Sequence, residues 1–358
     1  MRVVVKVGTS SITDADGQID RGAVAKVCDD LAGLRSAGHA VVLVTSGAIA
    51  AGLPALAMTA RQRPKDARTL QAVSAVGQVR LMQVYNELLA ERDGLISGQV
   101  LLAPHDFMVR QQYLHARSTL ERLLELSVIP IVNENDAVAD DEIRFGDNDR
   151  IAALVAQLIG AELLVLLTDA AGVFTADPRL DADASLISDI VEVDHELEAV
   201  AGGSGSNRGS GGMATKVAAA KIAAWSGVRT VIAAADRPGV LLDAVSGAPE
   251  VGTVVRAREH RLSARKVWIA FAVGSAGRVH VDDGARRALV ERGSSLLRAG
   301  ITKVEGDFDD GEPVEVLDED GQLVAKGLVR VPADALRSGE SDGGRVVIHR
   351  DDLVVLQS

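Results

Sequence analysis

Two dense clusters of acidic and amide side chains lie close together near the middle of the sequence. The first ends an apolar run in residues 131–136, and the second occupies residues 144–149. Because so many polar groups cannot all be paired in a core, we predict that they, including Asn133 and Glu134, line a loop at the carboxyl end of a strand. Carboxylates there can hold the ammonium group of an amino acid, and amides its carboxylate. The alternative is that Asn, Asp and Gly only form a turn.

Two further segments offer groups that suit an anion. Lys6 interrupts a run of valines in residues 3–7, where it either contacts an anion or reaches solvent from the end of a strand. Ser46 and Gly47 follow a second apolar run and provide a hydroxyl and backbone amides at the start of a helix. Ser-Gly turns are common, so this pair alone does not define a site.

The most glycine-rich segment is residues 201–216, which ends at Lys216 and leads into an alanine-rich helix. A flexible linker is the simplest interpretation of Gly and Ser. However, a lysine in the first turn of a helix combines an ammonium group with backbone amides and the helix dipole, which favours an anion site. The spacing matches neither of the common glycine-rich nucleotide motifs.

Alternating strands and helices predict an α/β fold with a mainly parallel open sheet between helices. The predicted strands are 3–7, 39–44, 95–102, 128–132, 163–167 and 228–233. The predicted helices are 23–37, 66–92, 117–126, 150–159 and 215–226. Thr168 and Asp169 follow the fifth strand, and residues 171–178 form a loop at the same end.

Composition limits the class of protein. A length of 358 residues suggests two domains, and the short valine run at the start is too brief for a signal peptide or spanning helix. The single cysteine, Cys28, excludes an intrachain disulfide, so we expect a reducing, cytoplasmic location without membrane attachment. The formal charge of −12 argues against nonspecific nucleic-acid binding.

A change in composition marks a domain boundary. We predict a first domain in residues 1–255, a basic linker in residues 256–275 and a second domain in residues 276–358. The second domain contains short β segments around one helix near residues 285–289, which indicates a small β-barrel-like domain.

Taken together, the motifs resemble the amino acid kinase family, and the C-terminal region is similar to the PUA domain that many bacterial members carry. The resemblance extends over essentially the whole chain, and the order of the motifs makes it specific. The matching segments of the first domain are residues 5–10, 44–48, 133–137, 146–149, 168–169, 172–178 and 209–216, and those of the second are residues 281–285, 292–297 and 300–308.

The resemblance implies ATP-dependent phosphorylation of the side-chain carboxylate of L-glutamate to L-glutamyl 5-phosphate, the first step of proline biosynthesis. It assigns glutamate binding to Ser46, Gly47, Asp136 and Asn148. It assigns ATP binding to Lys6, Thr168, Asp169, Ser210, Gly211, Gly212, Met213, Ala214, Thr215 and Lys216. Lys6 and Lys216 are the implied catalytic residues, and Asp149 the acidic residue that orients them.

These roles agree with the chemistry. The glutamate carboxylate is already a nucleophile at neutral pH, so no general base is needed. The reaction instead requires positive charge around the transferred phosphoryl group, from lysines, helix N-termini and Mg²⁺. We expect Mg²⁺ to bind to the nucleotide phosphates, and we assign no protein ligand to it.

The resemblance also implies partners beyond the substrates. It suggests proline as a feedback inhibitor, a homo-oligomer (dimer or tetramer) and a hand-off of product to glutamate-5-semialdehyde dehydrogenase. Two alternatives remain. One is another activity of the same family, on aspartate, acetylglutamate or carbamate, although the acids Asp136 and Asp149 suit a free ammonium group better than an acetylated one. The other is RNA binding through the PUA-like domain.

Overall fold

The computed structural model describes residues 1–60, 63–138, 148–181, 183–202, 212–338 and 344–357. They form two compact units, Met1–Arg261 and Leu262–Ser358. The division lies inside residues 256–275, the predicted linker, and residues 264–272 are helical and belong to the second unit. None of the helices in the described ranges combines the length and apolar character needed to cross a membrane.

The first unit is built on a sheet whose described strands run in the order β3-β4-β2-β1-β5-β7-β8-β6. Every neighbouring pair is parallel except β7 and β8, so the predicted mainly parallel α/β sheet is confirmed. The strands are β1 (Arg2–Val7), β2 (Ala40–Thr45), β3 (Ser97–Leu102), β4 (Ile129–Glu134), β5 (Leu163–Thr168), β6 (Asp189–Ile190), β7 (Arg229–Ala234) and β8 (Thr253–Val255).

Helices connect these strands, and α1 and α3 each begin at an aspartate that caps the helix. The Asp20 carboxylate accepts from the backbone amides of Gly22 and Ala23, and Asp66 accepts from Thr69. The helices of this unit are α1 (Arg21–Ser36), α2 (Ala48–Ala55), α3 (Ala67–Ala90), α4 (Pro104–Met108), α5 (Arg110–Glu125), α6 (Asn148–Leu158), α7 (His195–Gly202), α8 (Met213–Trp225) and α9 (Val240–Ser246). Helix α5 begins earlier than predicted, and the short elements β6, β8, α4, α7 and α9 were too brief to show a periodic pattern.

The central strands are buried because their side chains are apolar on both sides of the sheet. Strands β4 and β5 are buried at every position, and β1 at every position after Arg2. Their valines and leucines pack with α1 and α3 into one core. Continuous apolar strands of this kind are typical of parallel sheets covered by helices on both faces.

The end of β4 differs from the prediction. Asn133 and Glu134 belong to the strand and are 3% and 8% exposed, instead of lining a solvated loop. The interior tolerates Asn133 because its side chain donates to the Gln78 side chain and accepts from the Glu134 backbone amide. The prediction that Asn133 and Glu134 line a loop was therefore wrong, because both residues lie in the buried end of β4.

The second unit contains a six-stranded sheet in the order β10-β14-β13-β12-β9-β11, which confirms the predicted β-rich C-terminal domain. Its strands are β9 (Gly277–Val281), β10 (Leu296–Leu297), β11 (Ile301–Glu305), β12 (Pro313–Leu317), β13 (Leu323–Val329) and β14 (Val346–Val355). Its helices are α10 (Ala264–Val267), α11 (Asp283–Arg292) and α12 (Ala333–Ser338), and residues Trp268–Ala272 form a π-helical turn. This unit has an apolar core of its own.

Candidate active site

A buried carboxylate between two lysines forms the centre of the site. Asp149, in the first turn of α6, has its Oδ1 2.6 Å from the Lys6 Nζ of β1 and its Oδ2 3.2 Å from the Lys216 Nζ of α8. Asp149 is fully buried, and Lys6 and Lys216 are 4% and 6% exposed. Lys6 therefore does not reach solvent from the end of its strand. Three residues far apart in sequence meet here at one point.

The electrostatics of this triad keep Asp149 ionised. Burial by itself raises the pKa of its carboxyl, but the charges of Lys6 and Lys216 and the hydrogen bonds from Lys6 and Thr215 outweigh it, so the pKa lies below the ordinary value. A carboxylate held in this way is a poor proton acceptor. Its effect is to hold two ammonium groups close together, where they can contact an anion that carries more than one charge.

The start of α8 supports the same centre. The Thr215 hydroxyl lies 2.8 Å from Asp149 Oδ2 and 2.8 Å from the Gly212 carbonyl oxygen, which ties the first turn of the helix to the triad. Gly212 precedes the helix, and Met213 and Ala214 begin it. Backbone N–H groups of a first helical turn have no partner within the helix and favour anions. Ser210 and Gly211 lie outside the described residues.

A second group of predicted residues meets beside β2 and β4. The Asn148 Nδ2 donates to Ser46 Oγ at 2.8 Å and lies 3.1 Å from Asn133 Oδ1. Gly47, which follows Ser46, has a φ of +103° that favours glycine and lets the chain turn directly into α2. Asn148 and Asp149 are adjacent in α6, so this group and the lysine triad share one helix N-terminus.

Asp136 is held separately, just beyond the end of β4. Its carboxylate accepts a hydrogen bond from Ser74 of α3. Burial raises the pKa of Asp136, while the Ser74 hydrogen bond and the nearby Arg63 charge partly oppose that rise. Its described partner is Ser74, and no described contact joins it to Ser46 or Asn148.

Thr168 and Asp169 lie at the carboxyl end of β5. The Thr168 hydroxyl donates to the Asp169 carboxylate at 3.1 Å, with Thr168 buried and Asp169 exposed. Strand β5 pairs with β1, so both strands end at the same edge of the sheet. No described hydrogen bond or ion pair links these two residues to the triad. In the second acidic cluster, Gly146 and Asp147 lie outside the described residues.

Sequence reasoning missed two side chains of this region, Ser74 and Gln78. Both lie on α3, 4% and 7% exposed, and contact Asp136 and Asn133. The signal was present but weak: two polar residues four positions apart share one face of a helix, and Gly77 beside them marks a close approach. Among the described residues, no group of three or more His, Cys, Asp or Glu side chains is arranged to hold a metal ion.

Comparison with families of known sequence identifies both units. The family described as "Amino acid kinase family" matches residues 1–234, and the family described as "PUA domain" matches residues 277–351. The first match spans the strands and helices that carry the lysine triad, and the second spans most of the C-terminal sheet.

Curated relatives match over nearly the full length. A protein of Pelobacter propionicus named "Glutamate 5-kinase" is 46% identical over 367 residues, which cover 99% of this chain and 97% of the relative. A protein of Deinococcus radiodurans with the same name is 46% identical over 368 residues, covering 99% of this chain and 100% of the relative.

Solved structures share the fold of the first unit at low sequence identity. Carbamate kinase from Giardia lamblia bound to AMP-PNP superposes with a TM-score of 0.52 at 16% identity, covering 71% of this chain and 98% of that structure. UMP kinase from Bacillus anthracis superposes with a TM-score of 0.50 at 15% identity, covering 72% of this chain and 96% of that structure. At this level of identity the likeness concerns the fold alone.

Proposed function

This chain belongs to the amino acid kinase family, and we propose that it transfers the γ-phosphoryl group of ATP to the side-chain carboxylate of L-glutamate, giving L-glutamyl 5-phosphate and ADP. The product is the first intermediate of proline biosynthesis. The observation that carries the proposal is the buried arrangement of Lys6 and Lys216 on either side of Asp149, next to the Asn148 amide and the Ser46 hydroxyl that it contacts. Relatives that match nearly the whole chain at 46% identity and carry that activity in their name support it.

The reaction needs charge neutralisation more than proton transfer. A glutamate carboxylate oxygen forms a bond to the γ-phosphorus as the bond from that phosphorus to the bridging β,γ-oxygen breaks, and the electron pair leaves on ADP. Lys6 and Lys216 supply positive charge to the phosphoryl oxygens, and Asp149 fixes both lysines. Since the attacking carboxylate is ionised at neutral pH, Asp149 does not need to act as a base.

We assign the two substrates to the two groups of residues described above. Asp136 suits the α-ammonium group of glutamate, and Ser46, Gly47 and Asn148 supply further polar contacts. ATP is assigned to Thr168, Asp169 and the segment 210–216 together with Lys6, because the amides and ammonium groups of this segment suit phosphates.

Mg²⁺ is proposed to bind the phosphate oxygens of ATP, where it would neutralise part of their charge. Magnesium prefers a few carboxylates and phosphate oxygens over a complete protein cage.

Further partners are proposed from the family resemblance. We propose proline as a feedback inhibitor, because its ammonium and carboxylate groups match those that the glutamate pocket would hold. Assembly into a homo-oligomer, hand-off of the acyl phosphate to glutamate-5-semialdehyde dehydrogenase and a cytoplasmic location are proposed on the same basis. Cys28, the single cysteine, is buried and unpaired, as suits a reducing compartment.

A nucleic-acid role for the second unit has little support. Residues 278–358 contain 11 Lys and Arg against 17 Asp and Glu, a formal charge of −6, whereas RNA binding depends on neutralising phosphates. Two arginines of α11 are already in contact with acceptors, since Arg286 Nε lies 3.7 Å from Asp318 Oδ2 and Arg287 donates to the Asp283 carbonyl oxygen.

The proposed activity is tested by trapping the product. Purified protein is incubated with ATP, Mg²⁺ and hydroxylamine, which converts an acyl phosphate to a hydroxamate, and glutamate is compared with aspartate, N-acetylglutamate and carbamate by ATP turnover. We expect turnover and hydroxamate formation with glutamate. Faster turnover with one of the other acceptors would assign the chain to a different activity of the same family. Omitting Mg²⁺ should abolish the reaction.

A further inference from the structure

Helix α3 presents two buried polar side chains to the residues around the end of β4. Ser74 and Gln78 are one turn apart on the same face of the helix and are 4% and 7% exposed. Ser74 donates to Asp136, and the Gln78 side chain accepts from Asn133 Nδ2 at 2.8 Å. Each buried polar group needs a specific hydrogen-bond partner. Helix α3 therefore positions polar residues at the end of β4 in addition to covering the sheet.

The side-chain amides of Gln78, Asn133 and Asn148 form a chain of hydrogen bonds that ends at Gln78. A backbone N–H determines which atom of the Asn133 amide donates and which accepts. The Glu134 N–H can only donate, and it donates to Asn133 Oδ1 at 2.9 Å, which orients the Asn133 amide. Asn133 Nδ2 must then face Gln78, so the Gln78 atom that it contacts is the oxygen. Asn148 Nδ2 also donates to Asn133 Oδ1, at 3.1 Å, and to Ser46 Oγ.

The donor and acceptor order of these hydrogen bonds determines which atom of Asn148 is available to a ligand. Asn148 uses its nitrogen within the chain, so its Oδ1 remains as an acceptor, and it has no hydrogen-bond partner among the described residues. The α-ammonium group of an amino acid is a donor that suits this oxygen. If the Asn133 amide turned over, Asn133 Nδ2 would face the Glu134 N–H, and two donors would be opposed.

The backbone holds Gln78 in place. A Cβ built on its neighbour Gly77 would lie 1.7 Å from the Ala48 carbonyl oxygen, so only glycine allows α3 to approach the start of α2 this closely. Ala48 follows directly after Ser46 and Gly47. The close packing therefore fixes Gln78 relative to the segment that carries Ser46, at the other end of the amide chain.

We propose that Gln78 is a positioning residue of the amino acid pocket, which holds the Asn133 amide in the orientation that the Glu134 N–H selects and, through Asn133, the orientation of Asn148 toward the substrate. The inference rests on the proposed function, because it assumes that this pocket holds the amino acid. It adds that α3 contributes to substrate affinity through Gln78.

A double-mutant cycle tests the inference in the full chain. Gln78→Met removes the acceptor at nearly constant size, and losing one buried hydrogen bond should raise the KM for glutamate about 10–100-fold. The KM for ATP should change little, whereas the melting temperature should fall, because Asn133 Nδ2 is left buried without its acceptor. In an Asn133→Ala background, Gln78→Met should have no further effect on the KM for glutamate, because Gln78 acts through Asn133. Gln83→Met is the matched control, since Gln83 lies on the exposed side of α3 and donates to Glu87.

A second substitution keeps the test decisive if Gln78→Met does not fold. In Gln78→Glu a carboxyl oxygen still accepts from Asn133 in either protonation state, so we expect a smaller rise in the KM for glutamate. Equal rises in the KM values for glutamate and ATP, or additive effects of Gln78→Met and Asn133→Ala, would overturn the proposal. Failure of the proposed function gives a different result, because the wild-type chain would then form no hydroxamate with glutamate. In that case the same double-mutant cycle is measured with the amino acid that the chain does phosphorylate.

Discussion

At the scale of single residues, the site depends on one carboxylate that holds two lysines. Asp149 accepts from Lys6 and from Lys216, which come from different elements, and in the proposed reaction both lysines contact the same phosphoryl group. A buried charge cluster of this kind is not by itself a source of stability, because desolvation offsets the attraction. In the proposed reaction, its role is to keep the two ammonium groups in position before ATP binds.

The first prediction concerns these lysines. Lys6→Ala and Lys216→Ala should each lower kcat about 10²–10³-fold, because each removes a charge-assisted contact to the phosphoryl group in the transition state. The KM for glutamate should change little. Steady-state kinetics check both values, and Lys26→Ala, at an exposed position of α1, is the control. Near-normal turnover in either variant would make that lysine a structural residue only.

The second prediction concerns the pH dependence of glutamate binding. Asp136 must be ionised to hold an ammonium group, so affinity is present above its folded pKa and is lost as the pH falls through it. Burial raises this pKa, and the Ser74 hydrogen bond partly opposes the rise. Removing that hydrogen bond in Ser74→Ala raises the pKa further, so the loss of affinity should begin at a higher pH than in the wild-type chain.

The measurement is the KM for glutamate as a function of pH. At neutral pH, Ser74→Ala should raise it about 2–10-fold, the effect of one ordinary hydrogen bond. Asp136→Asn should remove the pH-dependent component instead of shifting it. A Ser74→Ala profile that coincides with that of the wild-type chain would show that Ser74 does not influence Asp136.

At the scale of elements, α2 and α3 pack closely beside the residues proposed to bind the amino acid. Gly77 of α3 faces the Ala48 carbonyl oxygen, and Gly52 of α2 faces the Val73 carbonyl oxygen, where an added Cβ would lie only 2.1 Å away. Both glycines occupy helix interiors, where glycine is unfavourable relative to alanine. Close packing of the two helices is the physical reason that they fit here.

The third prediction tests this packing. Gly77→Ala should lower the free energy of unfolding by at least about 1–3 kcal/mol, because the helices must separate, and it should raise the KM for glutamate more than that for ATP. Gly33→Ala in α1 is a matched control, because its Cβ would meet Leu242 Cδ1 at an ordinary 3.5 Å. That variant should be stabilised by about 0.5–1 kcal/mol through its helix propensity. Denaturant unfolding measures both, and a neutral Gly77→Ala would contradict the close approach.

At the scale of the whole molecule, the described residues assigned to chemistry all lie in the first unit. That unit ends at Arg261, whereas residues 264–272 are helical within the second unit. Each unit has its own apolar core, so each has the main requirement for folding alone.

The fourth prediction is that a chain ending at Arg261 folds and phosphorylates glutamate. A cut after Arg261 leaves the helices and strands of both units whole, which a cut near residue 270 would not. Circular dichroism and the hydroxamate assay check the two parts of the claim, and the intact chain is the control. A folded but inactive truncated chain would show that the second unit is required for catalysis.

The sequence by itself determined the order of strands and helices, because long apolar runs and helical spacing do not depend on distant partners. Strands such as β1 and β5 lie close to their predicted ranges for that reason. Polar residues follow the apolar run in residues 131–136, and from this the sequence predicts a ligand site at that edge of the sheet. The family resemblance then supplied roles for individual side chains, which spacing alone left open.

Only the tertiary structure decided which of these side chains meet. Lys6, Asp149 and Lys216 are far apart in the chain, so no local pattern predicts that they form one buried triad. The same holds for Asn133, whose polar side chain is buried because the Gln78 amide of α3 accepts a hydrogen bond from it. Local sequence reports whether a group is polar, but whether it can be buried depends on the hydrogen-bond partner that folding brings to it.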